Sequence, residues 1–268
     1  MKTKIKTLFY CLFLLSLVIL SSKMPIKEVL ENLGLDKDIS ILVRRILLNT
    51  LFCVLAIFEI KRKNILNTSG LRISILNRPV LYLFLIPHIL LFTVGFEGTR
   101  QIPLEEFTNY FGILYLIFTF SIGIFEEILF RGLIQNVLIN VFKTEKNGEF
   151  LGLFITSILF GSMHFINLHT DLSNLSNTII QVFAATCIGS LYGALLLRTR
   201  NIYPILFFHG LIDFSSLSQE YFPRYFEQKE QFEQIEQSFG QQVASIFVIF
   251  ILFGSASVLA LAVLKSKE

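Results

Sequence analysis

Ser121–Gln135 reads SIGIFEEILFRGLIQ and sets two adjacent carboxylates and a guanidinium into an otherwise apolar run. At the centre of a bilayer each such charge costs roughly 2.5–3.5 kcal/mol on insertion scales, so three of them need partners or a task. In a helix, side chains three or four apart share a face. Glu127 and Arg131 are i and i+4, with the acid N-terminal to the base, which is the favourable order. Glu126 points roughly 100° away from that pair and finds no cation on its own face. The spacing predicts a structural ion pair, Glu127–Arg131, and a free acid, Glu126. Thr119, Gly123 and Phe130 share the face of Glu126, and Gly123 is expected to leave room beside the carboxylate.

The surroundings say that this helix lies in a membrane. Of the 268 residues, 53% are hydrophobic and 16% charged, and the mean hydropathy is +0.66, which excludes an ordinary soluble domain. About 20 apolar residues cross a bilayer as helix. Working outward from 121–135, such spans are predicted at 7–22, 41–60, 79–96, 109–142, 150–167, 176–198, 201–217 and 242–264. The fourth is too long for one straight crossing. The expected fold is all-α: a polytopic integral membrane bundle of about eight transmembrane helices, one domain over 1–268 with no internal repeat or linker.

Lys and Arg collect on the cytoplasmic side of membrane proteins. With the N-terminus inside, the inner segments hold Lys2, Lys4, Lys6, Lys61, Arg62, Lys63, Arg72, Arg78, Arg131, Lys143, Lys146, Arg198, Arg200, Lys265 and Lys267, which is 15 of the 23 basic residues. Both termini are therefore expected in the cytoplasm. The net charge of +3 follows from this topology, and no nucleic-acid partner is expected. The opening stretch, MKTKIKTLFYCLFLLSLVIL, has the basic head and apolar body of a signal sequence. No small-x-small site follows it, so an uncleaved anchor is expected. Cys11, Cys53 and Cys187 all fall inside apolar spans with no paired spacing, as core or lipid-facing residues. Residues 218–240 alternate aromatic with acidic and amide residues near helical spacing, the pattern of an amphipathic connector on the membrane surface.

Few other polar groups lie in the spans. The fifth holds LFGSMHFIN, with Phe160 and His164 four apart. The seventh holds PILFFHGLID, with His209 and Asp213 four apart and Pro204 where a helix starts. The short turn 143–149 makes the fourth and fifth spans antiparallel neighbours. Counting 1.5 Å per residue from Lys146, Glu126 and His164 come to the same depth within about 3 Å. His209 and Asp213 rise about 13 and 19 Å from the turn at 198–201. Three helices are thus expected to bring Glu126, His164, His209 and Asp213 to one buried level. Gly189 and Gly193, in small-xxx-small spacing, read as helix packing, and His88 and His169 as isolated structural residues.

Glu126-Glu127-x-x-x-Arg131, Phe160-x-x-x-His164 and His209-x-x-x-Asp213, in that order on successive hydrophobic helices, resemble the three motifs of the CPBP (Abi) family. That family includes the type II CAAX prenyl endopeptidases and lysostaphin resistance protein A-like proteins. The resemblance covers about 105–218. It implies an intramembrane endopeptidase acting on membrane-associated proteins or peptides, in CAAX-type processing or in bacteriocin maturation and immunity. By position, Glu126 would activate the attacking water and His164 would assist. His209 and Asp213 would stabilise the oxyanion or place the water, and Glu127 and Arg131 would support the site. Asp213 stands where Asn is common; ionised Asp only accepts hydrogen bonds, so it suits orienting His209 or holding a metal. Glu126, His164 and His209 also make a three-ligand zinc set with a fourth place for water, although no H-E-x-x-H is present. Metal-free and zinc-dependent hydrolysis both stay open. Two other functions compete: a proton-coupled transporter, since membrane acids and histidines build relays, and a non-catalytic immunity or partner-binding protein.

Overall fold

The structure, a computed structural model, describes residues 2–72, 99–169 and 175–226 and the single positions 251, 254 and 258. The predicted spans 79–96 and 242–264, His88, and most of the predicted surface helix 218–240 lie outside the described residues.

Described residues are helical, with no strand among them. α1 (Lys2–Ser21) is followed by the short α2 (Ile26–Asn32) and the long α3 (Lys37–Arg62). Asp36 starts α3 by accepting a bond from the Asp38 amide at 2.9 Å, which satisfies one of the orphan donors of a helix N-terminus. After α4 (Leu104–Thr108), Asn109 caps α5 (Tyr110–Glu127) in the same way, accepting from the Gly112 amide. α5 runs on through a π-helical stretch, Ile128–Gln135, into α6 (Asn136–Phe142). Then come α7 (Gly148–Met163), a 3-10 turn (His164–His169), α8 (Leu175–Thr199), α9 (Tyr203–Ser216) and α10 (Ser218–Tyr221).

Among the described residues five helices are long and apolar enough to cross a membrane: Lys2–Asn32, Lys37–Arg62, Tyr110–Phe142, Gly148–Leu168 and Leu175–Thr199. They coincide with the first, second, fourth, fifth and sixth predicted spans. The seventh is a 14-residue helix, about 21 Å long at 1.5 Å per residue and so shorter than the roughly 30 Å hydrocarbon layer. α9 lies mainly against α5 and buries Ile205, Leu206, His209 and Gly210.

Among the described residues packing falls into two larger apolar zones and a small third one at Leu153, Ala194 and Leu197. The largest gathers Cys11, Leu15, Ile60, Leu133, Ile134, Leu191, Leu195 and Ile205 from α1, α3, the π-helical stretch, α8 and α9. The second is aromatic, with Tyr115, Phe118, Phe222 and Phe226 around the ends of α4, α5 and α9. There the Tyr115 hydroxyl donates to the Phe214 carbonyl at 2.6 Å, pinning the end of α9 beside Asp213. Outward-facing Leu, Ile and Phe side chains such as Phe9, Phe13, Leu51, Phe58 and Phe207 stay exposed, as surface against lipid requires. α1 is held to the rest by polar clasps as well: Tyr10 donates to Glu59 at 2.7 Å, Lys63 sits over the Tyr10 ring, and Lys4 pairs with Glu145.

Candidate active site

The site is built where α5 and α9 cross. A methyl group at Gly123 would come 2.8 Å from the Gly210 amide nitrogen and 3.2 Å from the His209 Cβ, and one at Gly210 would meet the Phe120 ring. Only because both residues lack a side chain do the two backbones come this close. Gly123 therefore does not leave a void beside Glu126, as its place on that face had suggested. It lets α9 approach, and α9 brings His209 to the two glutamates.

Past Glu127 the helix loosens into its π-helical turn, the form in which N–H groups reach back five residues. Two carbonyls of this stretch, those of Arg131 and Gly132, accept from the Asn136 side-chain amide at 2.9 and 3.1 Å. The same stretch is buried along its whole length. Gln135 donates to the Gly193 carbonyl at 3.1 Å, tying it to α8 at one of the two glycines read as packing residues. At the other, Gly189, an added methyl would come 3.0 Å from the Arg131 Nη2 and 3.1 Å from the Phe160 ring.

Glu127 and Arg131 form the expected ion pair, Nη1 to Oε1 3.0 Å, with both side chains at most 1% exposed. Glu127 also does something that its helix alone does not reveal. The same Oε1 lies 2.7 Å from His209 Nδ1. A carboxylate accepts only, so Nδ1 carries the proton and donates it, and the imidazole is fixed in one tautomer and one orientation. Its other nitrogen, Nε2, then points between two more acids: Glu126 Oε2 at 3.6 Å and Asp213 Oδ2 at 3.7 Å. Glu126 is the most open of the cluster, its side chain 25% exposed against 17% for Asp213 and 10% for His209.

His164 is placed differently. It ends α7 and faces its own preceding turn, with Nδ1 3.3 Å from the Phe160 carbonyl oxygen. Among the described residues it makes no hydrogen bond or ion pair with Glu126, His209 or Asp213. Phe160 joins them through its ring, edge-on to both imidazoles, 5.5 Å from His164 and 6.0 Å from His209 between centroids. The arithmetic of depth brought the two histidines to one neighbourhood; the aromatic ring between them was not foreseen. A second ring missed in the sequence is Tyr192 of α8. It is fully buried, 5.9 Å from the His209 ring and 5.7 Å from the Arg131 guanidinium. Nothing in the local spacing of SLYGALL marks that tyrosine.

A zinc centre needs nitrogen and oxygen ligands near 2.0–2.2 Å from one point. Glu127 holds His209 at Nδ1, the contact that a metal-bound histidine commonly makes, and leaves Nε2 as the nitrogen a metal would take, while His164 Nδ1 faces a carbonyl of its own helix. Among the described residues no group of three or more His, Cys, Asp or Glu is gathered as a ready ligand set.

No curated protein and no solved structure matches the chain. The sequence model of the family described as type II CAAX prenyl endopeptidase Rce1-like matches residues 108–215, a stretch that starts beside α5, ends in α9 and contains all six polar residues of the three motifs. Over residues 108–215, where buried acids and an imidazole sit on apolar helices, the chain is similar to the Rce1-like type II CAAX prenyl endopeptidases, a family of proteases.

Proposed function

We propose that the chain is an intramembrane endopeptidase that hydrolyses a peptide bond of a membrane-associated protein or peptide with a water activated by Glu126. The observation that carries this reading is the imidazole of His209, held by Glu127 at Nδ1 and presenting Nε2 to Glu126 and Asp213. Gaps of 3.6 and 3.7 Å are too long for direct hydrogen bonds, and with a proton on Nε2 a water seated between the three groups would accept from the imidazole and donate to both carboxylates.

The chemistry then runs in two halves. Glu126 takes a proton from the water as the oxygen attacks the scissile carbonyl carbon, forming the C–O bond. His209, which enters the step with a proton on each ring nitrogen and keeps both, donates a hydrogen bond from Nε2 to the developing oxyanion, the kind of fixed donor that stabilises such charge. Glu126 then passes its proton to the leaving amine as the C–N bond breaks. Glu127 acts through His209, in the manner of the buried carboxylate of a hydrolase triad, holding tautomer and direction. Arg131 pairs with Glu127 from the next turn and is itself buried. Asp213 accepts from the water or from Nε2, and His164, at the half-buried rim, assists the oxyanion. In this reading both termini face the cytoplasm, supported by the placement of the basic residues, and prenylated CAAX-type C-termini or bacteriocin-related peptides are the substrate classes.

The test is purified protein in liposomes with a quenched peptide library that includes prenylated C-termini. Cleavage by the wild type, lost on Glu126→Ala and retained after chelation, is the expected result. Cleavage abolished by chelation and restored by zinc would replace the metal-free scheme with a metal-dependent one. No cleavage by wild-type protein alongside proton-coupled uptake or protection from a bacteriocin would remove the peptidase reading.

A further inference from the structure

We infer that Tyr192, which lies in none of the three motifs, is a positioning residue that acts through His209. The inference rests on the peptidase reading for its kinetic consequence, while its structural content stands apart from it.

The argument starts from what is left free on the imidazole. Glu127 fixes one nitrogen, but a single hydrogen bond leaves a ring able to rock about that bond. Two aromatic rings on two other helices restrict this. Phe160 of α7 approaches edge-on at 89°, 6.0 Å between centroids. Tyr192 of α8 approaches at 47°, 5.9 Å between centroids. The same two rings also hold the guanidinium that supports Glu127: Arg131 Cζ lies 4.1 Å from the Phe160 centroid and 5.7 Å from that of Tyr192. Both rings lie within reach of cation–π attraction, roughly 6 Å. Phe160 and Tyr192 thus serve one unit, Arg131–Glu127–His209, and both are almost wholly removed from the surface.

Placement makes Tyr192 the informative member. Glu127 ends α5, Arg131 lies in the π-helical stretch that follows it, and His209 comes from α9. α8 contributes no motif residue, yet its Tyr192 ring touches both ends of the unit. A ring at this place shields the Arg131 and Glu127 charges and fixes the imidazole plane, so Nε2 keeps its aim between Glu126 and Asp213. Such supporting residues decide whether a catalytic group is held within a fraction of an ångström of its working geometry.

The experiment compares Tyr192→Phe and Tyr192→Met with the wild type in detergent and in liposomes. Three readouts are taken: the Nδ1 and Nε2 nitrogen chemical shifts of 15N-labelled His209 across pH, the kcat and KM for a cleaved peptide, and the melting temperature. Tyr192→Met keeps volume without a ring; it should move the His209 nitrogen titration by half a pH unit or more and lower kcat tenfold or more, with KM within about twofold. Tyr192→Phe keeps the ring and should stay within about threefold of wild type in kcat, with an unmoved titration. If Tyr192→Met leaves the His209 shifts unchanged, the inference is overturned. If Tyr192→Phe loses as much as Tyr192→Met, the ring is not what matters and the inference is equally overturned. Should Tyr192→Met fail to fold, Tyr192→Leu and Tyr192→Phe decide by the same shifts. The nitrogen shifts need no substrate, so a chain that cleaves nothing but shows the shift upholds the inference while the peptidase reading fails.

Discussion

At the scale of single residues, Glu127 matters more than its sequence neighbours suggest. It was legible as half of an i, i+4 pair with Arg131, and the pair is there at 3.0 Å. Its bond to His209 spans 82 positions and has no local signature. Glu126 was legible as the acid without a cation on its own helix; its expected company came from depths counted along the hairpins, and of that company His209 stands beside Glu126 and Asp213 while His164 faces its own helix. Truncating Glu127 to Ala leaves the Arg131 charge buried with no carboxylate. Removing one partner of a buried pair typically costs about 3–5 kcal/mol, so Glu127→Ala should unfold at markedly lower denaturant in a detergent unfolding series. Glu126→Gln, at the open side, should leave that midpoint close to wild type. Asp213 gives the opposite expectation. Its Oδ2 is buried and has no hydrogen-bond partner, and it faces a nitrogen that the scheme needs as a donor. Asn retains one acceptor and adds two donors, so Asp213→Asn should keep peptide cleavage within about tenfold of wild type, whereas Asp213→Leu should lose it.

The geometry at the scale of elements comes from the crossing of α5 and α9 and from the π-helical stretch behind it. Gly123→Ala would put a methyl 2.8 Å from a backbone nitrogen and 3.2 Å from the His209 Cβ. Backbone cannot swing aside as a side chain can, so the helices must separate. Overpacking of this kind costs about 1–3 kcal/mol and would carry His209 away from Glu126. The expected outcome is a folded protein with a lower melting temperature and cleavage reduced by ten- to a hundredfold. Ala at the neighbouring, lipid-facing Ile124 should do neither. The π-helical stretch was not legible. ILFRGLIQ carries no proline or turn signal, and what stabilises it is remote: Asn136 meets two of its carbonyls and Gln135 reaches α8. α9 was legible in type and place, from Pro204 and the apolar run. Its length was not, since composition alone made a full crossing of what is a 14-residue helix.

On the scale of the whole molecule, hydropathy made the architecture legible. Five predicted spans coincide with helices long enough to cross a bilayer, because burying unbonded backbone in lipid is so costly that sequence must declare each span. How the spans associate was much less visible, since lipid tails are as apolar as the helix surfaces and contacts are set by small residues and scattered polar bonds. The clasp between Lys4 and Glu145 belongs to this scale, joining the start of α1 to the turn between α6 and α7. The Lys4 ammonium, chiefly through its hydrogen bond, holds the Glu145 carboxyl below its ordinary value of 4.5. A carboxyl depressed in the folded state adds stability above its unfolded value, and that contribution fades as the pH falls through the lower, folded value. Protection of residues 143–147 against hydrogen exchange, taken relative to the intrinsic rate at each pH, should therefore be high at neutral pH and fall below pH 4.5, with Lys4→Ala already lowering it at neutral pH. Both groups are substantially exposed, so salt should weaken the clasp as well.

The anchoring of His209 at Nδ1 has a consequence for the cell that houses the protein. Acids and an imidazole strung through a lipid-embedded core are the ingredients of a wire for protons, and a wire would drain the electrochemical gradient. A proton handed from His209 Nδ1 to Glu127 would neutralise that acid and leave the Arg131 charge buried without its counterion, which is costly. The guanidinium is thus a barrier set across that route.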